Sequence, residues 1–253
     1  MREDDLEGAV GFGRWRGCLP SLVVAALAVV VLVAVVVGGV FDDEGDGTAD
    51  GDAAENPALP HAVTRFDVTA STGETFATTF HPAPTNTDKV LVAAPSRNVD
   101  EDSLDPLIDE LGRRDCASVI TFNARLLSQT SPFDAYLAVL AALADVYGFV
   151  GSDRATLGAS FTGLDAVRAA ESGPAMYAFV LSPSQENPSE PSDDVMVQLL
   201  GASRDTGFVA IYDQWADLGY DAFEFDSAAH GTAMFQNGVS GEVIGQIADT
   251  FCG

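Results

Sequence analysis

RATLGASFTGLDAVRAA, residues 154–170, decides the fold, because it reads as a strand, a tight turn and a helix in immediate succession. Arg154 to Leu157 reads as a short strand and Leu164 to Ala170 as a helix, with Gly158-Ala159-Ser160-Phe161-Thr162-Gly163 between them. A strand that passes this quickly into a helix belongs to a parallel sheet covered by helices. A serine on such a turn is pushed out of the sheet with its hydroxyl exposed, and the turn needs small residues two places to either side. Gly158 meets that need, whereas Thr162 meets it poorly because it is β-branched. The N–H of Phe161, at the start of the following helix, points where an oxyanion would form.

The chain on either side extends the same pattern. Ala62 to Ala70 and Thr75 to Phe80 alternate around the turn Ser71-Thr72-Gly73-Glu74, a β-hairpin signal. Lys89 to Ala94 is, after its lysine, an unbroken apolar run and reads as a buried strand. Ser103 is placed to cap a helix reaching Leu111. Ala117 to Phe122 is the next strand, and Phe133 to Tyr147 an amphipathic helix with Tyr136, Val139, Leu140 and Leu143 inward. Strands follow at Met176–Leu181, Val195–Leu200 and Asp221–Phe225, and helices at Gly207–Leu218 and Glu242–Phe251. A hairpin followed by alternating strands and helices implies an α/β architecture, a mostly parallel doubly wound sheet. Functional groups in such a sheet gather at the carboxyl ends of the strands.

Before this domain the composition changes twice. Residues 1–17 are polar, and residues 18–40 are apolar without a charged side chain. The run from Leu22 to Val40 is long enough to cross a hydrocarbon core of ~30 Å as a helix. Arg14 and Arg16 precede it while Asp42, Asp43, Glu44 and Asp46 follow, so the positive-inside rule puts the C-terminal domain outside the cell membrane. These features predict one uncleaved transmembrane anchor. A cleaved signal peptide is the alternative, which the length of the run and the missing A-x-A site oppose. Cys18, beside the membrane, is either an acylation site or a plain small residue at the helix start. Residues 41–60 form an acidic, Gly- and Ala-rich linker, and residues 61–253 the domain.

The net charge of −26, with 12 Lys and Arg against 38 Asp and Glu, repels phosphate backbones and argues against a nucleic-acid partner. The acids are dispersed, the pattern of a surface adapted to high salt. The three cysteines, Cys18, Cys116 and Cys252, have no metal-knuckle or CxxC spacing, which argues against a metal site built on cysteine.

Two further loops carry chemistry. Of the three histidines, only His230, in Ala228-Ala229-His230-Gly231-Thr232, lies in a loop after a parallel strand. Gly201-Ala202-Ser203-Arg204-Asp205 offers a carboxylate to hold the imidazole in the required tautomer. Asp213 would take that role if Phe208 to Tyr212 were a strand, but Phe208, Ile211, Tyr212 and Trp215 have helical spacing.

With these loops in order, Arg65 to Cys252 resembles the α/β-hydrolase superfamily, nearest to the dienelactone-hydrolase-like serine esterases. The resemblance is carried by the elbow at Ser160, the acid loop at Leu200–Asp205, the histidine loop Ala229–Phe235, Asn123-Ala124-Arg125 and the strand Phe179–Pro183. It implies the α/β-hydrolase fold and a Ser160–His230–Asp205 triad acting on a small-molecule acyl ester without a cofactor. The loop that usually begins His-Gly is Ala94-Pro95-Ser96 here, and Pro95 has no N–H to give. Either the backbone of Ser96 supplies the second oxyanion donor, beside that of Phe161, or the hole is half built. The resemblance also packs the helix before Cys116 against the last helix, which makes Cys116 and Cys252 a disulfide pair; two unpaired thiols are the alternative. A catalytically silent binding module on the same fold is the competing function, motivated by Pro95 and Thr162.

Overall fold

The computed structural model describes residues 62–85, 87–147, 153–184 and 188–253. The expected anchor at 18–40 with Cys18, the linker at 41–60 and His61 lie outside these residues. No helix among the described residues is long and apolar enough to cross a membrane.

Eight strands form one sheet in the order β1-β2-β4-β3-β5-β6-β7-β8. The hairpin β1 (Thr64–Thr69) and β2 (Thr75–His81) turns at Gly73, whose φ of +84° suits a residue without a Cβ. β2 pairs antiparallel with β4 (Ser118–Phe122), and every later pairing is parallel. The remaining strands are β3 (Val90–Ala94), β5 (Arg154–Ala159), β6 (Tyr177–Leu181), β7 (Met196–Ala202) and β8 (Asp221–Phe225).

The crossovers explain the two helical layers. The chain steps from β3 to β4 in one direction and from β4 to β5, β6 and onward in the other. Right-handed crossovers in opposite directions place their helices on opposite faces. Accordingly α1 (Asp105–Arg113) covers one face with α5 (Ser240–Cys252), while α2 (Pro132–Tyr147), α3 (Gly163–Ser172) and α4 (Thr206–Asp217) cover the other. Alternate residues of the central strands serve the two layers. Leu91, Val119, Leu157 and Phe179 pack under α1 and α5, whereas Val92 and Ile120 pack under α2 and Val180 under α3 and α4. Burial on both sides is why these strands read as unbroken apolar runs.

Three local expectations are corrected. Ser103 does not cap α1. The chain makes a 3₁₀ turn at Glu101–Leu104, and the helix starts at Asp105 with Pro106 in its first turn. A cap at Ser103 would aim at the N–H of Pro106, which does not exist. β5 runs on to Ala159, pairing with Leu181 of β6, so the turn starts at Ser160 itself. Gly201 and Ala202 belong to β7 rather than to the acid loop. The Phe208 ring lies against Gly201, where a Cβ would come within 2.1 Å of the ring, and that packing carries the strand two residues further.

Cys116, after α1, and Cys252, at the end of α5, are disulfide-bonded with their Cα atoms 5.5 Å apart. The bond ties together the two helices of one face at the sheet's amino-terminal rim.

Candidate active site

Ser160 follows β5 and opens a 3₁₀ turn, Ser160–Thr162, that runs straight into α3. Its φ is +53°, a left-handed conformation costing a non-glycine residue about 1–3 kcal/mol. Strain of this kind persists only where surrounding contacts over-determine it, and several do. A Cβ on Gly158 would meet the Thr162 carbonyl oxygen at 2.3 Å, and one on Gly163 would meet Val180 at 2.7 Å. The places that cannot carry a side chain are thus Gly158 and Gly163. Thr162, expected to fit poorly, is fully buried, and its hydroxyl accepts a 2.9 Å hydrogen bond from the Ala159 N–H. A side chain at the third position of a turn that reaches back to the residue before it is half of a capping box. Ala159 has no side-chain oxygen to supply the other half, so the sequence carries no capping-box signature here.

His230 ends the loop after β8, and Asp205 the loop after β7. The two loops are stitched together. The Ser203 N–H donates to the Phe225 carbonyl and the Arg204 N–H to that of Ser227, both at 2.9 Å. Gly231, at φ +57°, brings the histidine loop against the elbow, where a Cβ would lie 3.8 Å from the Ser160 Cβ.

The structure brings Ser160, His230 and Asp205 into one chain of contacts. Nδ1 of His230 lies 2.6 Å from Oδ2 of Asp205, and Nε2 lies 2.7 Å from Oγ of Ser160. Asp205 is also the N-cap of α4, its Oδ1 accepting from the Gly207 N–H at 3.1 Å. The carboxylate side chain is 9% exposed and the imidazole 42%. A carboxylate only accepts, so Nδ1 carries the ring proton and Nε2 is left as acceptor for the serine hydroxyl. Such an arrangement can withdraw the Ser160 proton and hold the resulting imidazolium. Asp213, the alternative acid, is exposed on α4. His81, at the end of β2 away from these loops, has its pKa lowered by burial although Asp105 and Glu101 lie nearby.

Ser96 and Phe161, expected to supply oxyanion N–H groups, lie just beyond the ends of β3 and β5, which are paired up to Ala94 and Gly158. The Thr162 Oγ1 lies 3.1 Å from the Ala94 carbonyl, so the two loops are in contact. At the rim the Arg97 guanidinium stacks 4.8 Å from the centre of the partly exposed Phe161 ring. An open cavity of about 640 Å³, lined in part by Arg204, Ser227 and Ala229, lies beside the histidine loop.

No protein-family model and no curated protein matches the chain in sequence. Solved structures do match in fold. The esterase domain of a Rhodothermus marinus protein aligns with a TM-score of 0.60 at 13% identity, over 76% of this chain and 100% of the other. A dienelactone hydrolase from Anabaena variabilis aligns at 0.55 and 15% identity, over 76% and 97%. A lidless α/β serine hydrolase from Xanthomonas campestris aligns at 0.54 and 15% identity, over 67% and 85%. The expected α/β-hydrolase fold is therefore the observed one.

Proposed function

We propose that this chain is a serine hydrolase cleaving carboxylic esters of small or medium acyl groups, with Ser160 as nucleophile, His230 as base and Asp205 as its orienting acid. The observation that carries the reading is the pair of hydrogen bonds at 2.6 and 2.7 Å linking Asp205, His230 and a Ser160 held at positive φ. Neighbours of the fold described as esterases support an ester substrate.

Ser160 Oγ attacks the acyl carbon while Nε2 of His230 takes its proton. The carbonyl electrons move onto oxygen, which the N–H groups of Phe161 and Ser96 receive. Collapse expels the alcohol, protonated from Nε2, and leaves an acyl-serine. Water then repeats the sequence to release the acid and restore Ser160. Asp205 stays ionised throughout and stabilises the imidazolium.

The test is turnover of an activated acyl ester together with labelling by a fluorophosphonate. Wild type is labelled and active, while Ser160→Ala loses several orders of magnitude in rate with an unchanged circular dichroism spectrum. Equal turnover by the two proteins refutes the reading, and an unlabelled, inactive wild type favours the silent binding module.

Residues 18–40 are, in the same proposal, a single-pass anchor that holds the domain on the extracytoplasmic side. The support is the uncharged run and its flanking charges. Deleting residues 1–40 moves the protein from the membrane to the soluble fraction; a truncated chain that still pellets with membranes at high salt refutes it.

A further inference from the structure

The catalytic reading leaves one difficulty. The loop after β3 must present the Ser96 N–H towards the substrate oxygen, yet Pro95 before it has no N–H with which to fix itself. Thr162 meets this need from below. Its Oγ1 lies 3.1 Å from the Ala94 carbonyl oxygen and 3.4 Å from that of Pro95, while accepting the Ala159 N–H at 2.9 Å. The hydroxyl is fully buried, so no solvent competes for its proton. The buried Tyr136 hydroxyl donates to the Leu157 carbonyl at 2.5 Å and also lies within hydrogen-bonding reach of the Thr162 side chain and the Ala94 backbone. The third acceptor near Oγ1, the Ala159 carbonyl at 3.1 Å, belongs to the elbow itself. The one hydroxyl proton thus has acceptors on both sides, Ala159 in the elbow and Ala94 and Pro95 in the β3 loop.

Peptide planarity turns this contact into orientation. The Pro95 C=O and the Ser96 N–H belong to one rigid peptide unit, and the described residues contain no cis peptide. In a trans unit the two bonds point in opposite directions. A Pro95 carbonyl that faces Thr162 therefore turns the Ser96 N–H away from Thr162.

We propose that Thr162 is a positioning residue for the Ser96 oxyanion donor, its hydroxyl coupling the nucleophile turn to the β3 loop. The proposal rests on the serine-hydrolase reading. It assigns a function to the one elbow position that the β-branched Thr162 was expected to fit poorly, and it explains how a loop lacking the usual His-Gly start keeps its donor.

The experiment compares wild type, Thr162→Val and Thr162→Ser in the full chain, with an activated acyl ester and a boronic acid as a tetrahedral-adduct inhibitor, well below the melting temperature of each. Val keeps the shape and loses the hydroxyl, whereas Ser keeps the hydroxyl. A missing oxyanion donor costs ~10²–10³ in rate. Thr162→Val therefore loses about 10–100-fold in kcat, as a misaimed rather than absent donor. Its KM stays within about twofold, and boronate inhibition weakens in parallel with kcat, because the oxyanion forms only beyond the ground state. Thr162→Ser restores kcat to within about threefold of wild type, since it returns the donor's anchor. If Thr162→Val does not fold, Thr162→Ala provides the same comparison. A hydroxyl-free variant with wild-type kcat overturns the proposal, and so does a Ser variant as slow as the Val or Ala variant. Combining Thr162→Val with Ser96→Pro, which removes the donor itself, adds little loss beyond Ser96→Pro alone; fully multiplying losses overturn the coupling. An inactive wild type refutes the serine-hydrolase reading and this proposal with it, whereas an active wild type matched by Thr162→Val refutes this proposal alone.

Discussion

Replacing Asp205 by asparagine changes one acceptor oxygen into a donor nitrogen at a point where two hydrogen bonds meet. Oδ2 faces Nδ1 of His230 at 2.6 Å, and Oδ1 accepts the Gly207 N–H that caps α4 at 3.1 Å. An asparagine satisfies only one of these as they stand. With its oxygen on Gly207 the cap is kept, and the amide donates to Nδ1. The ring proton must then sit on Nε2, pointing at the Ser160 hydroxyl 2.7 Å away, where a base is required. With the amide reversed, two donors confront each other at Gly207 and the cap is lost, which costs about 1 kcal/mol. A tautomer change costs the imidazole less than that loss, so the first orientation wins and the folded protein holds the inactive tautomer. The same exchange in triad proteases lowers kcat ~10⁴-fold, a barrier rise of about 5 kcal/mol. Initial rates on p-nitrophenyl acetate should show that loss, with a urea-unfolding free energy within about 1 kcal/mol of wild type because the cap survives. Asp213→Asn, on the exposed side of α4, should leave the rate unchanged. An Asp205→Asn enzyme within tenfold of wild type, or an Asp213→Asn enzyme equally slow, would refute the reasoning.

Two other perturbations test the scaffold. The Cys116–Cys252 bond closes a separation of 136 residues, for which the chain-entropy model gives an upper figure of about 5 kcal/mol. Replacing both cysteines by serine should lower the urea midpoint accordingly, and the denatured, non-reduced chain should titrate one thiol, that of Cys18; three thiols would refute the bond. Glu74 accepts the N–H groups of Ser128, Gln129 and Thr130 and the Ser128 hydroxyl, between 2.6 and 2.8 Å. The Ser128 side-chain and backbone hydrogen bonds, followed by that of Gln129, lower its pKa to about 2. A depressed carboxylate stabilises the fold fully above its ordinary value of 4.5 and loses that contribution as the pH falls towards about 2. The stability gap between wild type and Glu74→Gln should shrink over that window in urea titrations, and a gap independent of pH would exclude the clamp.

The order of strands and helices was legible in the sequence because each signal is local. A strand buried on both faces is an unbroken apolar run, as in Val90–Ala94, and a helix with one buried side repeats at its own pitch, as in Tyr136, Val139, Leu140 and Leu143. The nucleophile turn was legible for the same reason, since the close approach at Gly158 lies within a few residues along the chain. Local reading failed where a residue's partner came from elsewhere or was misjudged. Gly201 was assigned to a loop because nothing nearby in sequence shows Phe208 packing against it. Thr162 was judged by its bulk, because the Ala94 and Pro95 carbonyls that receive its hydroxyl lie 68 and 67 residues earlier.

The sequence by itself determined which segments are strands and helices, that the sheet is mostly parallel, and which three loops carry a serine, a histidine and an acid. Only the tertiary structure decided that these loops meet at hydrogen-bonding distance, although Ser160 and His230 are 70 residues apart and Asp205 and His230 are 25 apart. Periodicity reports which face of an element is buried, whereas the neighbour of that face is set by the direction of each crossover and the register of each strand pair. The order β2-β4-β3-β5 and the alignment of β5, β7 and β8 at their carboxyl ends are properties of the assembled sheet, and they convert three separate loops into one site.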